Sequence, residues 1–449
     1  MKYEKWSFGY WCFKQYIIFA DWLIHKKTVV TGREKIPKNK PILFAPNHQN
    51  ALSDPLAVLL NCGYQPVWLG RADIFNSSFI VKILRFFKIM PVYRLRDGKE
   101  NLIKNDQTFA DSIKILENNK ALALFPEAAH SGKRQMLPHK KAVPRIVFMA
   151  EEKAGFDLDI QIIPVGINYS HYWKLNRTLI VNFGDPIPVK KYLEAYRINP
   201  GAAIIKLKNK IHESILPLII NFRSQNHYHD FERICEVYGT HYLQKQNLPA
   251  DTLKQFYGQQ KLATRLDKME MEQPEETEII SQKVNEYVSE LKRLKIRNWL
   301  VDKQQNEVVK FLRNAVLLFI TMPLFLYGLL LNAVPFFFFV RVVRKKVKDK
   351  TFWSTFFLVG GIILFPLVYV LELLAFSPWI PGVWFKLAFV LSLPFTGKIA
   401  AMWYILWLKT TGRFRMLRLK WFRFCRYEKL LHQKEDIFNQ LDKLLLAKD

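Results

Sequence analysis

Three apolar stretches in the last third of the chain limit what it can fold into more than any other feature. Val308–Val340 is nearly all apolar, broken by Pro323, Asn332 and Pro335. Phe352–Phe376 and Val383–Leu408 follow, separated by a short turn at Ser377–Pro381. A helix over either of the last two is long enough to span the roughly 30 Å hydrocarbon core of a bilayer. Cations flank these runs: Arg341–Lys350 is strongly basic, and Lys409–Arg426 holds seven cations and no acid. If Phe352–Leu408 makes two crossings, both basic blocks lie on the cytoplasmic side. Lys310 and Arg313 belong there too. Val308–Val340 is therefore expected as a broken, re-entrant or interfacial hairpin bent near Asn332–Pro335, with a third full crossing as the alternative. The remainder of the chain then faces the cytoplasm.

Charge narrows the partners. A net charge of +28 and a pI near 9.8 imply an anionic partner: nucleic acid, a phosphorylated substrate or a membrane surface. The block Lys409–Arg426 interleaves cations with Trp421, Phe422 and Phe424, a pattern that also occurs in nucleic-acid sites. Directly after an apolar run it reads as a contact to anionic headgroups, and no nucleic-acid partner is expected. Residues 409–449 form a basic juxtamembrane segment and an amphipathic tail, with Leu430, Leu431, Ile437, Leu441, Leu444 and Leu445 at helical spacing. At the other end, residues 1–28 are rich in Trp, Tyr, Phe and Ile without a small-residue cleavage site. They read as an aromatic helix in the membrane interface, with a plain core helix as the alternative. Cys12, Cys62, Cys235 and Cys425 are far apart, which fits thiols in a reducing compartment.

Between these ends, residues 29–222 alternate short apolar runs with helical segments, the pattern of a mixed α/β domain. Strands are expected at Ile42–Ala45, Pro66–Leu69, Ile89–Tyr93, Ala121–Phe125, Ile160–Asn168 and Thr178–Phe183. Helices are expected at Pro55–Asn61, Phe79–Phe87, Asp106–Asn118 and Val143–Gly155. Residues 223–306 read as a polar, solvated helical arm, and 307–408 as the membrane region.

The chemistry-bearing residues sit where strands end. Pro41–Leu60 reads as a buried strand, a loop and a helix start, and the loop carries Asn47, His48, Gln49, Asn50 and Ser53. A neutral imidazole accepts protons at physiological pH, and a neighbouring carboxylate can hold its tautomer. Asp54 can be that carboxylate, or the helix N-cap ahead of Pro55. Arg71 follows Val67–Leu69, Arg94 follows Met90–Tyr93, and Glu127 follows Leu124-Phe125-Pro126. A base, cations and a carboxylate converging on one sheet edge suit proton abstraction from a hydroxyl of a phosphorylated substrate.

Asn47-His48…Asp54, then Arg94, then Phe125-Pro126-Glu127, then Ile163-Pro164-Val165 resemble the four ordered motifs of the glycerolipid acyltransferase family. That family includes lysophosphatidic acid and glycerol-3-phosphate acyltransferases, and the C-terminal region looks like its membrane-anchored subset. The resemblance covers residues 29–188. It implies an α/β fold with a mixed sheet and helices on its faces, and direct attack on an acyl thioester without an acyl-enzyme. By the same resemblance, His48 is the general base, Asp54 orients it, Arg94 binds the acceptor phosphate, Glu127 helps hold the acceptor, and Pro164 shapes the acyl-donor groove. Two features depart from the family. Five residues instead of four separate His48 from Asp54, and Ala128-Ala129-His130 replaces the usual Gly-Thr-Arg. The missing arginine leaves Arg71, Lys133, Arg134 and, when protonated, His130 as reserve cations. The expected reaction is acylation of 1-acylglycerol-3-phosphate to phosphatidic acid, from acyl-CoA or acyl carrier protein and without a cofactor. The alternatives are glycerol-3-phosphate as acceptor, or an inactive membrane scaffold of the same fold.

Overall fold

The computed structural model describes residues 3, 5–93, 104–248, 251–301 and 307–446. They divide into two compact units, Met1–Ile219 with Val343–Ile362, and Ile220–Val342 with Ile363–Asp449.

The first unit is built on an eight-stranded sheet: β1 (His25–Thr31), β2 (Ile42–Pro46), β3 (Val67–Arg71), β4 (Ile89–Val92), β5 (Ala121–Ala123), β6 (Gln161–Tyr169), β7 (Arg177–Phe183) and β8 (Ile187–Pro188). Its order is β1-β7-β6-β2-β5-β3-β4, with β8 beside β6. Pairings are parallel except where β6 meets β7 and β8. The helices are α1 (Phe8–Ile24), α2 (Ser53–Asn61), α3 (Ser78–Phe86), α4 (Lys104–Glu117), α5 (Ala142–Lys153), α6 (Leu193–Ile198) and α7 (Pro200–Ile215). Strand β2 shows why its sequence is apolar throughout. Leu43 and Ala45 pack on one face with residues of α4, α5 and α7, and Ile42 and Phe44 on the other with Ala57 and Val58 of α2. Helices on both faces thus leave β2 no polar side.

One strand of this unit starts where a helix was expected. The strand β1 begins at His25, inside the segment read as an N-terminal helix, because parallel pairing with Arg177–Asn182 outweighs the polar run His25-Lys26-Lys27-Thr28. Pro164 lies in β6, a central strand, where a missing N–H normally breaks the ladder. It falls between the residues that pair with β8 (Gln161, Ile162) and those that pair with β7 (Val165 onward), so no neighbour needs its N–H.

The second unit is helical: α8 (Tyr228–Lys245), α9 (Thr252–Glu272), α10 (Pro274–Leu294) and α11 (Glu307–Ile320), then most of α12 (Met322–Lys346), the later part of α13 (Trp353–Phe376), α14 (Gly382–Phe422) and α15 (Phe424–Leu446). Residues 223–301 are not a solvated arm. Their helices bury Phe231, Tyr238, Leu262, Leu266, Val284 and Tyr287, and α15 adds Leu430 and Leu441. Tyr238 donates to Asp442 at 2.6 Å, tying α8 to α15.

Among the described residues, three helices are long and apolar enough to cross a membrane: Met322–Lys346, Lys350–Phe376 and Gly382–Phe422. The bend expected at Asn332–Pro335 is absent, since both residues lie within α12. Asn332 is satisfied sideways: its amide donates to Gly328 O and Leu393 O, and its oxygen accepts from the Tyr369 hydroxyl at 2.7 Å. Packed helices absorb a proline in this way. The chain breaks instead at Thr321, just before Pro323.

Candidate active site

The loop between β2 and α2 is held from three sides. The Asn47 N–H donates to Val165 O at 3.2 Å, its Oδ1 accepts the Ile167 N–H at 2.6 Å, and its Nδ2 donates to Ile167 O at 3.2 Å. This side chain continues the β2–β6 ladder past Pro46, so it acts as backbone. The His48 N–H donates to Glu127 Oε1 at 2.8 Å, and the other carboxylate oxygen accepts the Leu137 N–H at 2.8 Å. Glu127 is 2% exposed. Burial pushes its carboxyl up to about 8, against the pull of those two backbone donors.

His48 Nδ1 lies 2.8 Å from Asp54 Oδ2. That oxygen also accepts the N–H groups of Gln49 (2.6 Å) and Asn50 (2.7 Å). A fully buried carboxylate with these partners takes the imidazole Nδ1–H, leaving Nε2 as the proton acceptor. Asp54 is not the N-cap. Helix α2 starts at Ser53 with Leu52 in the cap position, and Asp54 turns back to the preceding loop. Between His48 and Asp54, Ala51 adopts a φ of +39° in the left-handed region, and the loop turns so that Asp54 reaches back to His48. Because asparagine keeps an acceptor for the loop N–H groups, Asp54→Asn is expected to leave the protein folded. It should cut any turnover that uses His48 as the base by ~10²-fold or more, since an uncharged partner no longer stabilises the imidazolium. A near-unchanged rate in steady-state assays would reduce Asp54 to a loop clip.

An aromatic stack sets the imidazole plane. His48 lies on Phe125 (centroids 3.9 Å, 16° between planes), and Phe125 lies on Trp68 of β3 (5.3 Å). Across the ring, His130 meets His48 edge-on at 5.4 Å. Burial and the neighbouring His48 lower its pKa, which works against His130 as a cation. Ala128, where the family pattern has glycine, holds φ at +57°. Arg71 ends β3 and pairs through both Nε and Nη2 with Asp73. Arg134 Nη2 donates to Tyr169 O at 3.2 Å. Arg94 lies outside the described residues. His48, Asp54, Asn47 and Glu127 thus form one cluster; Arg71 ends β3, which β5 separates from β2, and Pro164 lies in β6 beside Ala45 of β2.

The sequence reading missed the side of the site contributed by residues 351–355. The Ser354 hydroxyl donates to Asn50 Oδ1, the Leu52 N–H donates to Thr355 Oγ1 at 3.1 Å, and His130 Nε2 meets Thr351 Oγ1 at 3.1 Å. Phe352 packs edge-on against His130 at 4.8 Å. The first turn of an apolar helix therefore abuts the His48 loop. The one local signal was a cluster of hydroxyls opening an apolar run, and nothing in it names a partner 303 positions earlier.

Residues 27–168 match the family model described as Acyltransferase. The chain is similar to glycerol-3-phosphate O-acyltransferase 2 of Saccharomyces cerevisiae, 26% identical over 210 residues, covering 45% of this chain and 28% of the relative. It is also similar to the 1-acyl-sn-glycerol-3-phosphate acyltransferase of Borreliella burgdorferi, 22% identical over 201 residues, 44% of this chain and 70% of the relative. Among solved structures, the 1-acyl-sn-glycerophosphate acyltransferase of Thermotoga maritima aligns with a TM-score of 0.30 and 18% identity, covering 44% of this chain and 77% of that one. The match therefore spans little more than a quarter of the yeast relative.

Proposed function

We propose that this chain, whose residues 27–168 form an acyltransferase-family domain, transfers a fatty acyl group from a thioester to a glycerol phosphate hydroxyl. The observation that carries this reading is the 2.8 Å pair of His48 Nδ1 and Asp54 Oδ2 at the end of β2. His48 Nε2 takes the proton of the acceptor hydroxyl as that oxygen attacks the thioester carbonyl. The C–O bond forms, the C–S bond breaks, and the thiolate leaves with the proton returned by the imidazolium. The products are an ester and a free thiol; His48 is regenerated, and the transfer needs no cofactor. Glu127 fixes the height of the His48 loop, Asn47 fixes its register, and Pro164 in β6 is our candidate for shaping the acyl-donor groove. The donor is acyl-CoA or acyl carrier protein.

The acceptor we favour is 1-acylglycerol-3-phosphate, giving phosphatidic acid. Supporting it, Thr351–Thr355, at the start of an apolar helix, packs on the His48 loop, a setting for an acceptor that already carries an acyl chain. Glycerol-3-phosphate is the second reading, favoured by relatives such as the yeast enzyme. In either case the protein works at a membrane, with its catalytic domain on the cytoplasmic face and α13 and α14 as crossings. Arg94 is the proposed phosphate contact, because a guanidinium gives bidentate, charge-assisted bonds that lysine cannot copy. Arg94→Ala should raise the acceptor KM by ~10-fold or more and change the donor KM little, with Arg94→Lys in between. Varying the acceptor at saturating donor checks this, and an unchanged acceptor KM removes Arg94 from the site.

A further inference from the structure

The C-terminal ends of α10 and α14 and the first turn of α15 line an open pocket of about 480 Å³. Six cations line it: Arg293, Lys295, Arg415, Arg418, Arg423 and Arg426. Backbone geometry holds them together. Lys295 caps α10 in the left-handed conformation (φ +54°), and its carbonyl accepts from Arg415 Nη1 at 3.3 Å. Arg423 breaks the helix between α14 and α15. Glu290 is spent on two of the six: Arg426 donates to it through Nε (2.8 Å) and Nη2 (2.7 Å), and Arg293 reaches its other oxygen at 2.7 Å. Among the described residues, the side chains of Lys295, Arg418 and Arg423 have no hydrogen-bond or ion-pair partner. Like charges packed this closely repel, and an anion between them relieves that repulsion.

The neighbourhood indicates where the anion comes from. Helix α14 has 41 residues, about 60 Å, against roughly 30 Å of hydrocarbon. Its last third, which carries Arg415 and Arg418, therefore projects from the apolar run. Beside the pocket, Trp421, Phe422 and Phe424 are 62%, 80% and 52% exposed, the aromatic pattern of a membrane interface. We propose that this pocket binds the phosphate of an anionic lipid headgroup, with a phosphomonoester such as that of phosphatidic acid preferred. Planar guanidinium forks match phosphate oxygens, and the volume lies in the range of small-molecule sites. All these residues belong to the second unit, and the inference does not rest on the acyl-transfer reading.

Cys425, exposed between Phe424 and Arg426, offers a local reporter. The full chain in detergent, carrying Cys12→Ser and Cys235→Ser, is labelled there with an environment-sensitive dye and titrated with short-chain phosphatidic acid. The dye should give a saturable response. Arg418→Ala/Arg423→Ala should raise the half-saturation concentration ~10-fold or more. Removing two exposed cations of α15 outside the pocket, Lys429→Ala/Lys443→Ala, should shift it less than ~3-fold. No response to the lipid, or equal losses in the two double variants, overturns the site. Inorganic phosphate matching the lipid at equal concentration would make the ligand free phosphate. A short single-stranded oligonucleotide binding more tightly than the lipid would make it nucleic acid; both results overturn the lipid assignment.

Discussion

His48→Ala is expected to lower acyl transfer by about 10²–10⁴-fold, the usual span for loss of a general base, while folding and membrane attachment persist. The reasons for persistence are local. The imidazole is 15% exposed on its side chain, and the bonds that shape its loop come from backbone groups and from Asn47, Asp54 and Glu127. Alanine keeps the N–H that Glu127 accepts and removes only the ring. Turnover near wild type in the purified variant would remove the mechanism.

Glu127→Gln should be nearly as damaging, for a different reason. Both carboxylate oxygens accept backbone N–H groups, from His48 and Leu137. Glutamine keeps one acceptor and sets an NH₂ against the other donor, leaving a buried N–H without a partner at a cost of ~1–3 kcal/mol. The His48 loop then loses its fixed height, and a displacement of about 1 Å in a catalytic group is enough for ~10²-fold in kcat. A second readout isolates the charge. The folded protein holds the Glu127 proton up to about pH 8, whereas an unfolded chain releases it near 4.3. Stability should therefore fall as pH rises between those values, and that slope should flatten in Glu127→Gln. Thermal unfolding in detergent across the window measures it. Unchanged kcat with an unchanged slope would make Glu127 a bystander.

How much of this was legible in the residues depends on the range of the interaction. Strands β2 to β7 were readable because each contains a short, largely apolar run. Strand β1 was not, because its polar sequence is extended only by its pairing with β7. His48, Asp54 and Glu127 could be picked out by order along the chain. Their division of labour could not, since the choice between cap and orienting acid for Asp54 depends on where Ala51 places the loop. Asn332 and Pro335 looked like a bend because their local tendencies favour one, and lateral bonds to Leu393 and Tyr369 cancel that tendency. The contact of residues 351–355 with the loop and the cluster of six cations are products of tertiary folding, and their local traces are slight: hydroxyls opening an apolar run, and the basic block Lys409–Arg426.

The central claim is that His48 drives transfer from a thioester to a glycerol phosphate hydroxyl. Release of free CoA from acyl-CoA by the purified protein, with each candidate acceptor added in turn, tests it most directly. Release should depend on the acceptor, run faster with 1-acylglycerol-3-phosphate than with glycerol-3-phosphate, and be lost in His48→Ala. Release that ignores the acceptor, or that survives undiminished in His48→Ala, would contradict it.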